Sequence, residues 1–284
     1  MANTIVTKRR LIPGQTSELV ISVPHIAAKA RPGNFVILRV CPTGERIPLT
    51  IADADAEAGT ITLVYLVLGK TTALLETLEE GDAILDLCGP LGKPTDIRRH
   101  DGGVICVGGG TGIAAMHHIA KGHHLAGNHV IGIIGARTKN LLLFEEELGR
   151  VCDEMLITTD DGSHGRQGLV TQPLKERLED DAAIAEVLAI GPVPMMAAVA
   201  ETTAQFGVRC LVSLNSIMLD GIGMCGACRV KVGDETRFAC VDGPEFDGSL
   251  VDFKELSQRL TAFKPQEQQS YEEFKKHHVC RCAN

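Results

Sequence analysis

The sequence predicts a β + α/β chain: an antiparallel β-barrel, then a parallel-sheet nucleotide domain, then a small cysteine-rich subdomain. Three observations carry this. Residues 1–97 read as short β-branched runs broken by Pro-Gly, Thr-Gly and Ala-Gly turns, and residues 98–212 alternate apolar strands with amphipathic helices. Residues 213–250 hold three closely spaced cysteines among glycines, and 251–284 form a polar helical tail with little apolar area, expected to contact a partner.

The barrel strands are "ELVISV", "NFVILRV", "TITLVYLVL" and "AILDLC", with one helix at "TTALLETLEE". "GERIPLTIAD" sets Arg46, Pro48, Leu49 and Thr50 on or beside a further strand. "LGKTTALL" opens the helix with Gly69, Lys70, Thr71 and Thr72, whose free amides suit an anion. On chemistry alone this is a phosphate site, with Arg46 as a plain surface arginine and Thr72 as a plain cap still open.

The second segment runs "GVICVGG", "GIAAMHHIAKGHHLAG", "HVIGIIGAR", "NLLLFEEELGRV", "EMLITT", "TQPLKERLEDD", "EVLAIGP", "PMMAAVAETTAQFG" and "RCLVSLN", strand and helix in turn. Between its first strand and helix lie Gly108, Gly109, Gly110, Thr111 and Gly112, a turn that lets a pyrophosphate approach helix amides. The string departs from G-x-G-x-x-G because Ile113 holds the last glycine position. Later strand ends carry Arg137, Asp160, Asp161, Gly191 and Pro192, where open parallel sheets bind ligands. Arg137 and Lys139 suit a 2′-phosphate, whereas the two aspartates suit ribose hydroxyls or a solvated turn. His117, His118, His123 and His124 are expected on the helix surface and at its end.

Composition narrows the classes. A chain of 284 residues exceeds one core, and a formal charge of −8 argues against nucleic acid. No apolar run spans a membrane and no export signal opens the chain, which predicts the cytoplasm. Ten cysteines in that compartment read as ligands or buried thiols, with Cys41, Cys88, Cys106 and Cys152 expected in apolar surroundings.

Cys225, Cys228 and Cys240 give C-x2-C, an eleven-residue gap and a third cysteine. Plant-type two-iron clusters use C-x4-C-x2-C plus a distant cysteine, so the missing ligand falls at Asp220, five residues before Cys225. A carboxylate is a hard donor that iron accepts. A structural zinc on the same four residues, or a thiolate from Cys210, Cys280 or Cys282, remains open.

Taken in order, "RIPLT", "GKTT", "GGGTGIAA", "TDDGS", "GPVPMM" and the cysteine motif resemble the ferredoxin-NADP reductase superfamily. Within it the chain resembles the electron-transfer subunits of dihydroorotate dehydrogenase and of the NADH-dependent reduced ferredoxin:NADP oxidoreductase. The resemblance covers nearly everything up to the tail. It implies an FAD on the barrel, with Thr50 near the flavin ring, Arg46 near its phosphates and Gly69 through Thr72 at the pyrophosphate. It also implies a [2Fe-2S] cluster and NAD(H), rather than NADP(H), on the α/β domain. The superfamily's arginine falls at the position of Ile47, one residue after Arg46. Asp220 separates the two subfamilies, since the dihydroorotate dehydrogenase subunits carry cysteine there.

The implied activity is oxidoreduction without acid–base side chains, in an electron-bifurcating transhydrogenase complex. The implied partner is a larger subunit with FAD and [4Fe-4S] clusters, resembling the small chain of glutamate synthase, and ferredoxin enters indirectly through it. Two other readings stand beside this one. They are the dihydroorotate dehydrogenase subunit, and a regulatory module with a nucleotide and a structural metal.

Overall fold

The computed structural model describes residues 3–180 and 183–277. The first sheet contains β1 (Asn3–Ile12), β2 (Thr16–Ser22), β3 (Phe35–Arg39), β4 (Ile47–Asp55), β5 (Thr60–Leu66), β6 (Ala83–Ile84) and β7 (Asp86–Leu91). Its order is β6-β1-β2-β5-β4-β3-β7, and its pairings are antiparallel, giving a near-barrel. Period-two alternation turns Leu19, Ile21, Ile51, Ile61 and Leu63 inward. Two short helices, α1 (Pro24–Ala27) and α2 (Lys70–Glu76), add Ile26 and Leu75 to that core. In the basic triplet Lys8, Arg9 and Arg10, Lys8 donates to the Leu78 carbonyl at 2.7 Å and the arginines pair with Glu18, Glu76 and Glu79, while Arg9 also reaches Glu147 of the second domain at 3.6 Å.

The second sheet contains β8 (Gly103–Gly109), β9 (Val130–Ala136), β10 (Glu154–Thr159), β11 (Arg166–Gln167), β12 (Ile184–Ile190) and β13 (Cys210–Ser213), in the order β11-β10-β9-β8-β12-β13. These strands are parallel. All seven residues of β8 are buried, as a central strand covered on both faces must be. The helices are α3 (Gly112–Leu125), α4 (Glu145–Gly149), α5 (Thr171–Asp180) and α6 (Val193–Gln205). The helix expected across "NLLLFEEELGRV" is a 3₁₀ turn, Lys139–Leu141, followed by the short α4. Phe144 takes a left-handed backbone, φ 58°, and so breaks the run. Its ring packs in a seam with Ala52, Val64 and Ala114, which offsets that strain.

The cysteine-rich insert forms a hairpin of β14 (Arg229–Val232) and β15 (Glu235–Phe238), then the turn α7 (Ala239–Asp242). It ends in β16 (Glu245–Asp247), which joins the edge of the second sheet antiparallel to β13. In the tail, α8 (Phe253–Thr261) docks on α6 and β14 through buried Leu256, and α9 (Lys264–His277) leans on α2. The expectation that the tail faces a partner therefore applies least to α8. Cys280 and Cys282 lie outside the described residues.

Candidate functional site

The carboxyl ends of the parallel strands open into a cleft of about 550 Å³. Gly109, Gly110, Thr111, Arg137, Asp160 and Pro192 all line it, so the structure gathers six predicted residues from four strand ends. Gly110 has φ +57°, and a Cβ there would meet nothing within 4 Å: its backbone faces open space, as close approach of a ligand requires. Gly112 is glycine for another reason, because a Cβ would lie 2.4 Å from the Ile190 carbonyl oxygen. Gly191 packs in the same way against the Gly109 backbone. The amides of Asp160 and Asp161 donate to the carbonyls of Ala136 and Arg137, drawing the ends of β9 and β10 together. The Asp161 carboxylate is spent on its own loop, accepting from the Ser163 hydroxyl at 2.6 Å, which holds its pKa below the usual range. Asp160 alone of that pair lines the cleft.

Sequence reasoning missed the opposite wall. Ile12, Gln15, Thr16 and Leu66, from the β1–β2 hairpin and the end of β5, face the cleft across the domain boundary. No motif marks them, because only the packing of barrel on sheet brings them there.

On the barrel, Pro48, Leu49 and Thr50 lie half-buried on β4, paired with β3. At the start of α2 the Thr72 hydroxyl accepts the amides of Leu68 and Gly69 at 3.0 and 3.2 Å. The Thr71 hydroxyl donates to Glu45 at 2.7 Å, and Lys70 lies 3.9 Å from that carboxylate. Glu45, not Arg46, thus reaches this helix. Arg46 lines a second cleft of about 660 Å³ together with Ile37, Cys88 and Asp220. Cys88, expected to be buried, is exposed there on β7. A Cβ on Gly69 would meet nothing within 4 Å, so the turn ahead of α2 leaves room for a bulky anion.

The cysteine loop rests directly on the barrel. Gly221 has φ +75°, and a Cβ on it would lie 2.6 Å from Leu91 and 2.9 Å from Ile37. The four expected ligands fall into two pairs. Asp220 accepts the Cys225 amide at 2.5 Å, and the Cys228 and Cys240 sulfurs are 3.2 Å apart. The other Asp220 oxygen accepts the Ile222 amide at 2.8 Å, and these amides, Ile222 first, hold the carboxyl below its usual pKa. Each oxygen keeps a lone pair for a metal. Burial, with Cys228 alongside, pushes the Cys240 thiol up to about 12. Arg259 of α8 braces the loop by donating to the Ala227 carbonyl at 3.0 Å. Among the described residues no three His, Cys, Asp or Glu side chains converge on a point that could hold a single metal ion. Two donor pairs spread along a loop would suit a binuclear core rather than a single ion.

The four histidines also need correction. His117 and His118 are buried because that face of α3 packs on the barrel, His123 is buried beside Asn128 and His100, and only His124 of the four is exposed. The described residues contain no helix long and apolar enough to cross a membrane.

Comparison with known proteins places this geometry. Residues 215–252 match the iron-sulfur cluster binding domain of dihydroorotate dehydrogenase B. Over 271 residues, 95% of both chains, the sequence is 45% identical to a dihydroorotate dehydrogenase B (NAD(+)) electron transfer subunit homolog of Thermotoga maritima. The chain belongs to that family. Its member from Geobacillus kaustophilus, named as the electron transfer subunit itself, is 36% identical over 87% of this chain and 96% of its own. The solved structure of an NADH-dependent reduced ferredoxin-NADP oxidoreductase, studied for flavin-based electron bifurcation, superposes with a TM-score of 0.90. It is 45% identical over 97% of this chain and 98% of the other. A Neisseria gonorrhoeae ferredoxin NADP+ reductase with bound FAD and NADP, 16% identical over 73% of this chain and 91% of its own, shares the fold with a TM-score of 0.60. The family is thus one of ferredoxin reductase-like oxidoreductase subunits carrying an iron-sulfur domain.

Proposed function

We propose that this chain passes electrons between NAD(H), FAD and a [2Fe-2S] cluster as the small subunit of an electron-bifurcating NADH-dependent ferredoxin:NADP oxidoreductase. The observation that carries this is the seating of Gly221 on Ile37 and Leu91, which brings the ligand loop into contact with the barrel next to the strands that carry Thr50. When bound, the flavin accepts a hydride's two electrons and releases them one at a time to the cluster.

This chain's residues supply the frame. Gly110 and Thr111 leave the α3 amides open to a pyrophosphate, and Asp160 presents a carboxylate to a ribose hydroxyl, which favours NAD(H) over the pull of Arg137. Gly69 and the α2 amides suit the FAD pyrophosphate, Thr50 the ring, and Arg46 the cleft beside Asp220. Asp220, Cys225, Cys228 and Cys240 hold the irons. The units proposed are residues 1–97 for FAD, 98–212 for the nicotinamide nucleotide and 213–250 for the cluster.

Cys225 is exposed, and Leu219, Ile222, Met224 and Val241 around it expose between 40% and 82% of their surface. An apolar rim beside an exposed ligand suits a protein partner, the larger flavoprotein subunit of the complex. The eight described cysteines form no disulfide with one another, which suits the cytoplasm.

Anaerobic reconstitution of the purified chain with FAD, iron and sulfide tests this reading. The expected product has a flavin spectrum, a two-iron paramagnetic signal after reduction, and bleaching by NADH. A colourless chain refutes it. Asp220 favours the transhydrogenase over the dihydroorotate dehydrogenase subunit, and co-purification with the larger flavoprotein separates the two.

A further inference from the structure

The helix whose N-cap residue, Thr111, lines the nucleotide cleft also grips the barrel strand that carries Thr50. On α3, Ala114, His117, His118 and Lys121 stand at i, i+3, i+4 and i+7, one stripe of the helix. That stripe meets three successive residues of β4 immediately after Thr50. His118 Nδ1 lies 3.0 Å from the Ile51 carbonyl oxygen, which only accepts, so Nδ1 carries the hydrogen and donates. Ala52 packs in the seam with Ala114, and the buried His117 ring lies 5.6 Å from that of Phe144 in the same seam. Lys121 donates to both Asp53 carboxylate oxygens, at 2.8 and 3.0 Å. Burial lowers the pKa values of both histidines. A helix needs neither imidazoles nor an ion pair to pack on a strand. These polar groups fix its register along β4, which apolar contact alone leaves free to slide.

We propose that His118 and Lys121, with His117 behind them, are positioning residues that set the placement of the nicotinamide site relative to the flavin strand. This rests on the reading of NAD(H) at the α3 loop and FAD at β4. The stripe acts through Ile51 and Asp53 and touches neither cofactor. A displacement of about 1 Å between reacting groups costs up to about a hundredfold in rate, so a rivet at this place governs hydride transfer more than binding.

The test uses the full chain as wild type, His118→Ala, His118→Asn and Lys121→Met. In flavin-free protein, amide hydrogen exchange is measured over 49–55 of β4 and over β8. Exchange in β4 is expected to rise in His118→Ala and Lys121→Met while β8 stays at the wild-type rate. In FAD-loaded protein, stopped-flow reduction by saturating NADH is expected to slow at least tenfold in both variants, with NADH affinity within twofold of wild type. His118→Asn, whose amide donates from nearly the place of Nδ1, is expected to recover most of the rate. A rate unchanged in both His118→Ala and Lys121→Met overturns the proposal, as does loss of NADH affinity in step with rate. Failure of wild type to be reduced by NADH removes the functional reading and this proposal together, whereas a reducible wild type matched by its variants removes the proposal alone.

Discussion

Gly112→Ala isolates the packing role of a glycine from the ligand role of its neighbour. The added methyl would lie 2.4 Å from the Ile190 carbonyl oxygen, 2.7 Å from its carbon and 2.9 Å from Gly191 Cα, all backbone atoms of the adjoining strand end and turn. No rotamer relieves a backbone clash, so α3 must back away from β12. Overpacking of this kind costs about 1 to 3 kcal/mol, and in a chain of this size each kcal/mol lowers the melting temperature by about 2 °C. A fall of about 2 to 6 °C is therefore expected by calorimetry. Gly110→Glu provides the contrast. Its side chain enters open space at φ +57°, so stability changes by only the left-handed penalty of about 1 to 2 kcal/mol, while a carboxylate in the cleft repels pyrophosphate. NADH reduction of the bound flavin should be lost in Gly110→Glu although the melting temperature falls by only about 2 to 4 °C, whereas Gly112→Ala should lose stability without losing that reduction. A Gly112→Ala chain that melts within 1 °C of wild type would show that the helix has room the structure denies, and the reasoning would fail.

Three further outcomes are expected. Glu245 of β16, hydrogen-bonded by the Thr95 hydroxyl at 2.6 Å, has its carboxyl raised by burial to about 7, from 4.5. The folded chain holds that proton more tightly than the unfolded one, so stability falls as pH rises from 4.5 through 7, by up to about 3 kcal/mol; chemical unfolding of Glu245→Gln should lose that slope. Asp220→Cys should keep the cluster and shift its potential, because thiolate gives iron more charge than carboxylate, and a redox titration overlaying wild type would remove Asp220 from the ligands. Thr50→Ala should slow flavin reduction about fivefold, the equivalent of one hydrogen bond of about 1 kcal/mol, in stopped-flow traces with NADH.

The order and type of the elements were legible where local chemistry is self-sufficient. Period-two runs made the barrel strands, wholly apolar runs made β8 and β9, and the glycines at 108 to 112 marked the turn into α3. Legibility ended where a residue's environment comes from a distant segment. "NLLLFEEELGRV" has helical spacing, but Phe144 is drawn into the barrel seam and breaks it. Cys88 reads as a small buried hydrophobe, yet the neighbouring cleft leaves it exposed.

Strand period, glycine conformation and the spacing of Asp220, Cys225, Cys228 and Cys240 are properties of a few adjacent residues, so the three kinds of unit could be read from the chain before it folds. Long-range packing is what turns Gln15 and Leu66 toward the cleft at the strand ends, brings Glu45 rather than Arg46 to α2, and gives His118 to β4 instead of water. Each of these depends on which surfaces of separate units bury one another, and that is set by the packing of the whole chain rather than by any stretch of it.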